Sequence, residues 1–427
     1  MSAIALRLNG AQPYHSAAPT PLTGEPLSPS PATIHYRYLD GLRAAAALYV
    51  VIHHLWQFQF GTGARETLFG RFTNWLLYGH FAVDLFIVLS GFCLMLPVLS
   101  AGSLKGGALS FLKRRARRIF PPYLVSLLVF TVIALLIQRD TAIDSHRLMR
   151  ALVVNLLFFQ DVIANQNIFN ESSWSVALEW KVYFTFPAML MVWRKWGIGG
   201  MTFFSMLLAA GYLGFVRALH PHMTLGHTCP WYFLLFDFGV CAAVAMTAAG
   251  KRRDQILCGA RVTVMAGSVA LAALIARYPV TTSGEDALFV PHLPLIDTVA
   301  GILAASLLVL CHSRIARPQP GMAMALLSSR PAVFLGTFAY SLYLVQFPLI
   351  QLAKRFFDHH RAFGLSPDVA PIVFMTVTPA AVLVVAYGFY LLVERPFTQR
   401  PAERRLEKFR WRIPAVRKPV LAGNSAA

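Results

Sequence analysis

Long apolar segments dominate this chain from about residue 40 to about residue 393. A transmembrane helix needs ~20 predominantly apolar residues to cross the hydrocarbon core of a bilayer, and most of the segments approach that length. Eleven segments can be bounded to within a few residues, at about 40–60, 76–98, 119–137, 148–163, 175–193, 199–217, 231–249, 261–277, 294–312, 332–353 and 371–393. The pattern predicts an all-α, polytopic membrane protein.

The distribution of Lys and Arg decides which segments cross, because cytoplasmic loops carry an excess of positive charge. Basic clusters follow the second, fifth, seventh, ninth and last segments, and they share one side only if segment 148–163 does not cross. That segment is the shortest and contains Asn155, Gln160 and Asp161. We therefore predict about ten transmembrane helices plus one re-entrant or interfacial segment, with both termini cytoplasmic.

The composition agrees with a membrane protein. Of the 427 residues, 56% are hydrophobic and 13% are charged, against about a quarter charged in a soluble domain. The net charge of +19 is typical of nucleic-acid-binding proteins, but the basic residues lie between apolar segments. We expect a lipid bilayer as the partner and no nucleic acid. The five cysteines show no metal-ligand spacing, so we expect neither a bound metal nor a disulfide framework.

The apolar region divides the chain into three parts. Residues 1–36 are rich in Pro, Ser, Ala and Thr and lack the basic start and apolar core of a signal peptide. We expect a disordered cytoplasmic tail there, a membrane-embedded domain over 37–397, and a basic cytoplasmic tail over 398–427. The bacterial cytoplasmic membrane is the expected location.

Arg43 and His54 are the most informative polar residues. Both belong to the first apolar segment, where ionisable groups are costly and mark functional sites. Eleven steps of ~100° return to within ~20° of the starting face, so the two side chains share one helical face, ~16 Å apart along the axis. The neighbouring His53 would point ~80° away. A hydrogen-bonded packing histidine is the alternative interpretation of His54.

Further ionisable residues interrupt later segments. Asp84 must pair with a base or stay protonated, and both a helix-locking pair and a direct role stay open. Arg115 and Arg118 share a face at the mouth of a helix, which suits a phosphate-rich ligand as well as a plain topology signal. Lys181 is expected to meet a carboxylate elsewhere, because Glu179 lies two positions away and cannot face it.

Two more motifs allow a structural and a functional interpretation. Tyr340 and Tyr343 share a helical face, where packing is the simpler explanation. Glu394 and Arg395 close the last segment, and Pro396 prevents the helix from continuing.

In chain order, these residues resemble the motifs of the acyltransferase-3 family of integral membrane O-acyltransferases. Six motifs carry the resemblance: Leu39-Asp40-Gly41-Leu42-Arg43 with His54 after ten further residues, the run from Val83 to Phe92 with Asp84 and Ser90, Arg115-x-x-Arg118-Ile119-x-Pro121-x-Tyr123, Trp174-Ser175-x-x-x-Glu179, Tyr340-Ser341-Leu342-Tyr343-Leu344, and Glu394-Arg395-Pro396. Together they cover nearly the whole apolar region.

Two positions depart from the family pattern. Ala44 stands where glycine is usual, and Gln346 stands where many members have histidine. A catalytic role carried by a histidine at that second position therefore does not transfer to this chain.

The resemblance implies the transfer of an acyl group, most often acetyl, from a cytoplasmic acyl-CoA to a hydroxyl, with no bound cofactor. Acceptors in the family are mostly sugars of surface glycans, and some members modify small natural products such as macrolides. The family also implies ten spans with both termini inside. The chain looks like the standalone type, without a fused esterase-like domain.

The resemblance and the chemistry of the side chains together give expected roles. His54 would be the general base on the acceptor hydroxyl, while a route through acyl-His54 stays open. Arg43 would hold the donor phosphate, assisted by Arg115 and Arg118. Glu179 would orient His54 or bind the acceptor. Other expected site residues are Tyr123 for the donor, and Asp84, Ser90, Trp174, Ser175, Tyr340, Tyr343, Glu394 and Arg395.

Two other protein classes stay open on sequence alone. A proton-coupled transporter of a glycan or lipid would use Asp84, Glu179 and His54 as a proton relay, but the chain shows neither paired repeats nor matched Gly/Pro-broken segments. A non-catalytic membrane scaffold would tolerate the loss of Arg43 or His54.

Overall fold

The computed structural model describes residues 36–61, 72–137, 145–163, 170–220, 228–280, 289–315, 321–359, 364 and 369–398. All regular elements among these residues are helical, as the apolar pattern predicts. The first twelve α-helices are α1 (Arg37–Phe60), α2 (His80–Ala101), α3 (Gly107–Ile137), α4 (Ser145–Leu156), α5 (Trp174–Leu219), α6 (Tyr232–Ala245), α7 (Gly250–Arg277), α8 (Leu293–Ser313), α9 (Met322–Leu327), α10 (Arg330–Thr337), α11 (Ala339–His359) and α12 (Val369–Phe389). Short 3-10 helices precede α2, α5 and α8.

A single π-helical turn, Tyr390–Glu394, continues α12 into a last short helix, α13 (Arg395–Thr398). The tails predicted at 1–36 and 398–427 lie outside the described residues, apart from their innermost positions Tyr36 and Thr398.

Five helices, α1, α2, α6, α8 and α11, form the centre of the bundle, and α2 packs along α6. This close packing depends on two glycines. A Cβ added at Gly91 would lie 2.1 Å from the backbone oxygen of Phe236, and one added at Gly239 would lie 2.0 Å from that of Val88. The two helices therefore touch backbone to backbone, as membrane helices with small residues at their contacts often do.

The outer surface of the bundle is apolar. Along α7, the side chains of Val262, Met265 and Val269 are exposed, and only Leu257 and Ala260 are buried. A helix with apolar residues on its exposed face is the arrangement expected where the surrounding solvent is lipid.

The number of membrane crossings is not fixed by helix length. Six of the described helices are long and apolar enough to cross, or seven if α10 and α11, which meet at a 70° bend, form one span. The segments predicted at 175–193 and 199–217 join in α5, a run of 46 residues that is bent at Gly197, where φ is 69°. The all-α polytopic fold is confirmed, and ten crossings stay a prediction.

The segment predicted at 148–163 forms the twelve-residue helix α4 and a tight loop. Twelve residues reach ~18 Å, short of the ~30 Å hydrocarbon core, in agreement with a segment that does not cross. The loop buries Asp161, whose carboxylate lies 2.6 Å from Nζ of Lys181 and accepts from the Tyr212 hydroxyl at 2.6 Å. The expectation that Lys181 pairs with a distant carboxylate is confirmed.

Replacement of Gly239 by alanine is expected to lower the thermal stability of the protein in detergent, because the new methyl group would meet the backbone of Val88. Overpacking of this kind typically costs about 1–3 kcal/mol. The matched control is Gly259→Ala on α7, where an added Cβ meets nothing within 4 Å and alanine favours the helix by roughly 1 kcal/mol. Size-exclusion chromatography after graded heating measures both midpoints, and equal midpoints would contradict the tight contact.

Candidate active site

A cavity of about 300 Å³ lies beside the basic start of α3. We call it the large cavity. Its walls come from α1, α2, α3, α5, α10, α11 and the π-helical turn. Nine of the residues expected from the sequence line it: Arg43, Ser90, Arg115, Arg118, Ser175, Glu179, Tyr340, Tyr343 and Glu394.

Arg43 is held at the wall of the large cavity by two contacts. Its Nη1 lies 2.9 Å from Oδ1 of Asp40, one turn earlier on α1, and its Nη2 lies 3.1 Å from Sγ of Cys93 on α2. The carboxylate partner of Arg43 is therefore Asp40, not Asp84. Because a guanidinium carries five N–H donors, these contacts leave donors for a ligand in the cavity.

Glu179 belongs to a hydrogen-bonded group of three side chains. Tyr183, one turn later on α5, donates to Glu179, and the hydroxyl of Ser90 lies 3.2 Å from Glu179 Oε1 and 3.1 Å from the Tyr183 hydroxyl. The guanidinium of Arg115 lies 5.8 Å from the ring centroid of Tyr183, a cation–π distance. Glu179 therefore lies among the polar lining residues of the large cavity.

The π-helical turn places Glu394 at the rim of the same cavity. Such turns are rare in proteins, and those that do occur often lie at functional sites. Glu394 is buried, and one of its oxygens accepts hydrogen bonds from the backbone N–H of Ser341, at 3.1 Å, and from the Ser341 hydroxyl. The positive charge of Arg118 lies close enough to attract the Glu394 carboxylate. Glu394 therefore fixes the start of α11, while Arg395, the next residue, lines neither cavity described here.

A second cavity of about 170 Å³ lies further along α1. We call it the small cavity. Its polar lining residues come from α1, the start of α2, the turn before α5, the start of α5 and α11, and they are His53, His54, Gln57, His80, Glu171, Ser172, Trp174 and Tyr343.

His54 is oriented by Gln346 of α11. Nδ1 of His54 lies 2.8 Å from Oε1 of Gln346. A carbonyl oxygen only accepts, so this bond places the ring proton on Nδ1 and leaves Nε2 as the hydrogen-bond acceptor. The residue that stands where many family members have histidine is thus the direct partner of the expected base. Glu179 lies in the large cavity, and the side chain that contacts Nδ1 of His54 is Gln346; both roles expected for Glu179 stay predictions.

Val83 and Tyr343 line both cavities and form the wall between them. The Tyr343 hydroxyl lies 2.6 Å from Oγ of Ser175 and 3.0 Å from the backbone oxygen of Ser172, which fixes the ring in place. The adjacent residues Trp174 and Ser175 face opposite sides of this wall, since Trp174 lines the small cavity and Ser175 lines the large one.

Besides Arg395, two expected site residues lie outside both cavities. Tyr123 is buried, and its hydroxyl lies 3.2 Å from the backbone oxygen of Asn155 and 3.0 Å from the amide of Gln160. It therefore supports the loop after α4, and its expected role in donor binding stays a prediction. Asp84, a residue of α2, is buried, and its Oδ1 lies 3.9 Å from Nε2 of His80.

The structure adds residues that the sequence did not single out: Cys93 and Tyr183 in the large cavity, and Gln57, His80 and Glu171 in the small one. Tyr183 lies four positions after Glu179, and His80 four positions before Asp84. An i, i+4 search around each carboxylate in an apolar segment would have found both. No local pattern marks Cys93, whose position depends on the packing of α2 against α1.

A helical membrane bundle with ionisable groups gathered around two adjoining cavities has the features of a membrane-embedded enzyme. The sequence profile described as "Acyltransferase domain" matches residues 36–391. The chain therefore belongs to the acyltransferase-3 family, and it is an integral membrane enzyme that transfers acyl groups. This assignment sets aside the transporter and scaffold alternatives.

Named relatives agree with this class. The acyltransferase MdmB of Streptomyces mycarofaciens is 26% identical over 400 residues, which are 88% of this chain and 95% of the relative. A Staphylococcus aureus protein provisionally named as an O-acetyltransferase is 24% identical over 379 residues, 84% of this chain but 56% of the relative. Nodulation protein 10 of Rhizobium leguminosarum bv. viciae is 26% identical over 230 residues, 49% of this chain and 59% of the relative. No solved structure matches the chain.

Proposed function

We propose that this protein transfers an acyl group, in the first place acetyl, from a cytoplasmic acyl-CoA to a hydroxyl of a carbohydrate such as a surface glycan or exopolysaccharide. The observation that carries the proposal is a pair of cavities with a common wall, one containing three arginines and the other containing an oriented histidine.

The large cavity is the proposed donor site. Arg43, Arg115 and Arg118 bring three guanidiniums to its lining, and planar guanidiniums suit phosphate groups. The adjoining basic run at the start of α3 would face the cytoplasm by the positive-inside rule. From Arg43 to His54 the rise along α1 is ~16 Å, on the order of an extended pantetheine arm. A phosphate at Arg43 would therefore place the thioester near His54.

The small cavity is the proposed acceptor site. Besides His54 it contains the amide of Gln57, the carboxylate of Glu171 and the indole of Trp174. Amide and carboxylate groups hydrogen-bond hydroxyls, and an indole offers a rigid apolar surface with one polar atom. This combination favours a hydroxyl-rich ring over a purely apolar acceptor.

The proposed reaction is a direct acyl transfer. Nε2 of His54 takes the proton of the acceptor hydroxyl while that oxygen attacks the thioester carbonyl, which forms a tetrahedral oxyanion. The C–S bond then breaks, and His54 returns the proton to the leaving thiolate of coenzyme A. The hydroxyls of Ser175 and Tyr343 stand at the wall where the two substrates would meet. They bond to each other and to the backbone oxygen of Ser172, so one of them would have to turn its proton toward the oxyanion to stabilise it.

Membranes supplied with labelled acetyl-CoA should yield label in an alkali-labile ester on extracted polysaccharide. His54→Ala is expected to lower the rate by ~10²–10⁴-fold, the range of general-base catalysis. The matched control is His146→Ala, an exposed histidine on α4, which should keep the wild-type rate. Persistent labelling in His54→Ala membranes would contradict the mechanism. Label on an added macrolide but on no polysaccharide would contradict the carbohydrate acceptor.

Coenzyme A should protect Cys93 from a thiol reagent, because Cys93 lines the large cavity and contacts Arg43. At ten times its Kd, coenzyme A should slow modification by roughly tenfold. Cys258, exposed on α7, is the internal control, and peptide mass spectrometry reads both sites in one sample. Equal slowing at both cysteines, or none at Cys93, would argue against a donor in the large cavity.

Gln346 is a positioning residue in this mechanism, because it acts through His54. Gln346→Leu removes the acceptor for Nδ1, and kcat should fall by up to the ~10²–10⁴-fold that a general base contributes. The KM for acyl-CoA should stay the same, since the donor lies beyond the wall. Gln346→Glu keeps an acceptor oxygen and should retain most of the activity. A wild-type kcat in Gln346→Leu, or equal losses in both variants, would refute the positioning role.

A further inference from the structure

A group of ionisable residues outside the proposed mechanism lies between α2, α6 and α8. His80 of α2, Cys229 just before α6 and Asp297 of α8 bring a ring nitrogen, a thiol sulfur and a carboxylate oxygen within 4.8 Å of one another. Asp84 lies one turn after His80, with 3.9 Å between its Oδ1 and Nε2 of His80. We propose that these four residues bind a divalent cation of the zinc class.

The burial of two carboxylates side by side is the first argument for a cation. Asp84 and Asp297 are 1% and 0% exposed, and the ion pairs described for either carboxylate involve only His80. A buried anion costs several kcal/mol unless it is compensated. One imidazolium leaves one of the two carboxylates uncompensated. A divalent cation held by both carboxylates and by the thiolate of Cys229 leaves the same net charge of −1, but it replaces one shared proton by direct bonds from the cation to every charged group.

Unused oxygen atoms are the second argument. Both carboxylate oxygens of Asp84, and Oδ1 of Asp297, are buried and have no partner at normal hydrogen-bond geometry within the described part of the chain, although the Tyr232 hydroxyl, 3.1 Å from Nε2 of His80, interacts with Asp84. Oδ2 of Asp297 is occupied, because it lies 2.8 Å from Nε2 of His80 and accepts from Nε1 of Trp231 at 2.8 Å. Buried polar atoms nearly always have a hydrogen-bond partner. Three carboxylate oxygens without one, beside a ring nitrogen and a thiol sulfur, therefore point to a metal ion that accepts their lone pairs.

The chemistry of the donor set selects the ion. Nitrogen, sulfur and carboxylate oxygen ligands in a four-residue set are typical of zinc, whereas magnesium and calcium take oxygen ligands. Binding would release two protons to solvent, the one now shared by Nε2 of His80 and Asp297 and the one on the Cys229 thiol, and Oδ1 of Asp297 would become a ligand. The N–H of Trp231 would still hold that carboxylate in its orientation, as outer hydrogen bonds do at metal sites.

The position of the ion would link it to the small cavity. His80 lines that cavity, and its ring stacks on Trp174 with 5.6 Å between centroids. A cation at this point would tie three helices together behind the wall that carries Trp174. This inference stands apart from the proposed function, because it needs neither acyl-CoA nor a particular acceptor.

The test is the metal content of the full-length protein, purified in detergent without a histidine tag, loaded with zinc and freed of unbound metal. Mass spectrometry of the elements should find about one zinc per chain, and Asp297→Asn and Cys229→Ser should bind zinc roughly 10-fold or more weakly. Matched controls are Asp237→Asn and Cys241→Ser, an aspartate and a cysteine on α6 that contact each other at 3.8 Å. They should keep the zinc.

A second measurement guards against variants that fail to fold. The wild-type protein loaded with Co²⁺ should show a thiolate-to-cobalt charge-transfer band, which Cys241→Ser should keep and Cys229→Ser should lose. Wild-type protein without stoichiometric zinc and without this band would overturn the proposal. Equal zinc in all variants would overturn it as well, and either result would assign the cluster to a proton shared between His80 and the two carboxylates.

Discussion

The fold depends on satisfying buried polar groups where no water can reach them. In a bilayer the partner of a buried charge or donor has to come from the protein itself, so each such pair ties two elements together. Lys181 and Asp161 join α5 to the loop after α4, and His54 and Gln346 join α1 to α11. The cavities lie where ionisable groups gather without fully pairing with one another. The reactive residues and the packing residues therefore belong to the same network.

Much of the large cavity could be predicted from the sequence, because its residues are polar positions in apolar surroundings. Arg43, Arg115 and Glu179 stand out on that ground alone, and the structure brings them together. The spacing of Arg43 and His54 predicts a shared helical face. It does not predict that Val83 and Tyr343 divide this face between two cavities, because spacing along one helix contains no information about what packs against it.

Other features depend on contacts between distant parts of the chain. Gln346 is 292 positions away from His54, so no local pattern connects them, and the same holds for the cluster around His80. Tyr123 is different, since its position could have been predicted. It follows Arg118 by five residues, which turns it by ~140° around the helix, away from the face that carries the arginines. The number of crossings is undecided because a bent helix and a short helix do not map simply onto spans.

The shared wall also has an electrical consequence. If the donor cavity opens toward the cytoplasm and the acceptor cavity toward the opposite face, the insulating layer of the membrane would shrink at this point from ~30 Å of hydrocarbon to the side chains of Val83 and Tyr343. The membrane voltage, worth ~2.3 kcal/mol per elementary charge per 100 mV, would fall mainly across that thin layer. His54, which lines the cavity beside it, would gain and lose its proton at the edge of this field, and the energetic state of the cell would bear on acyl transfer.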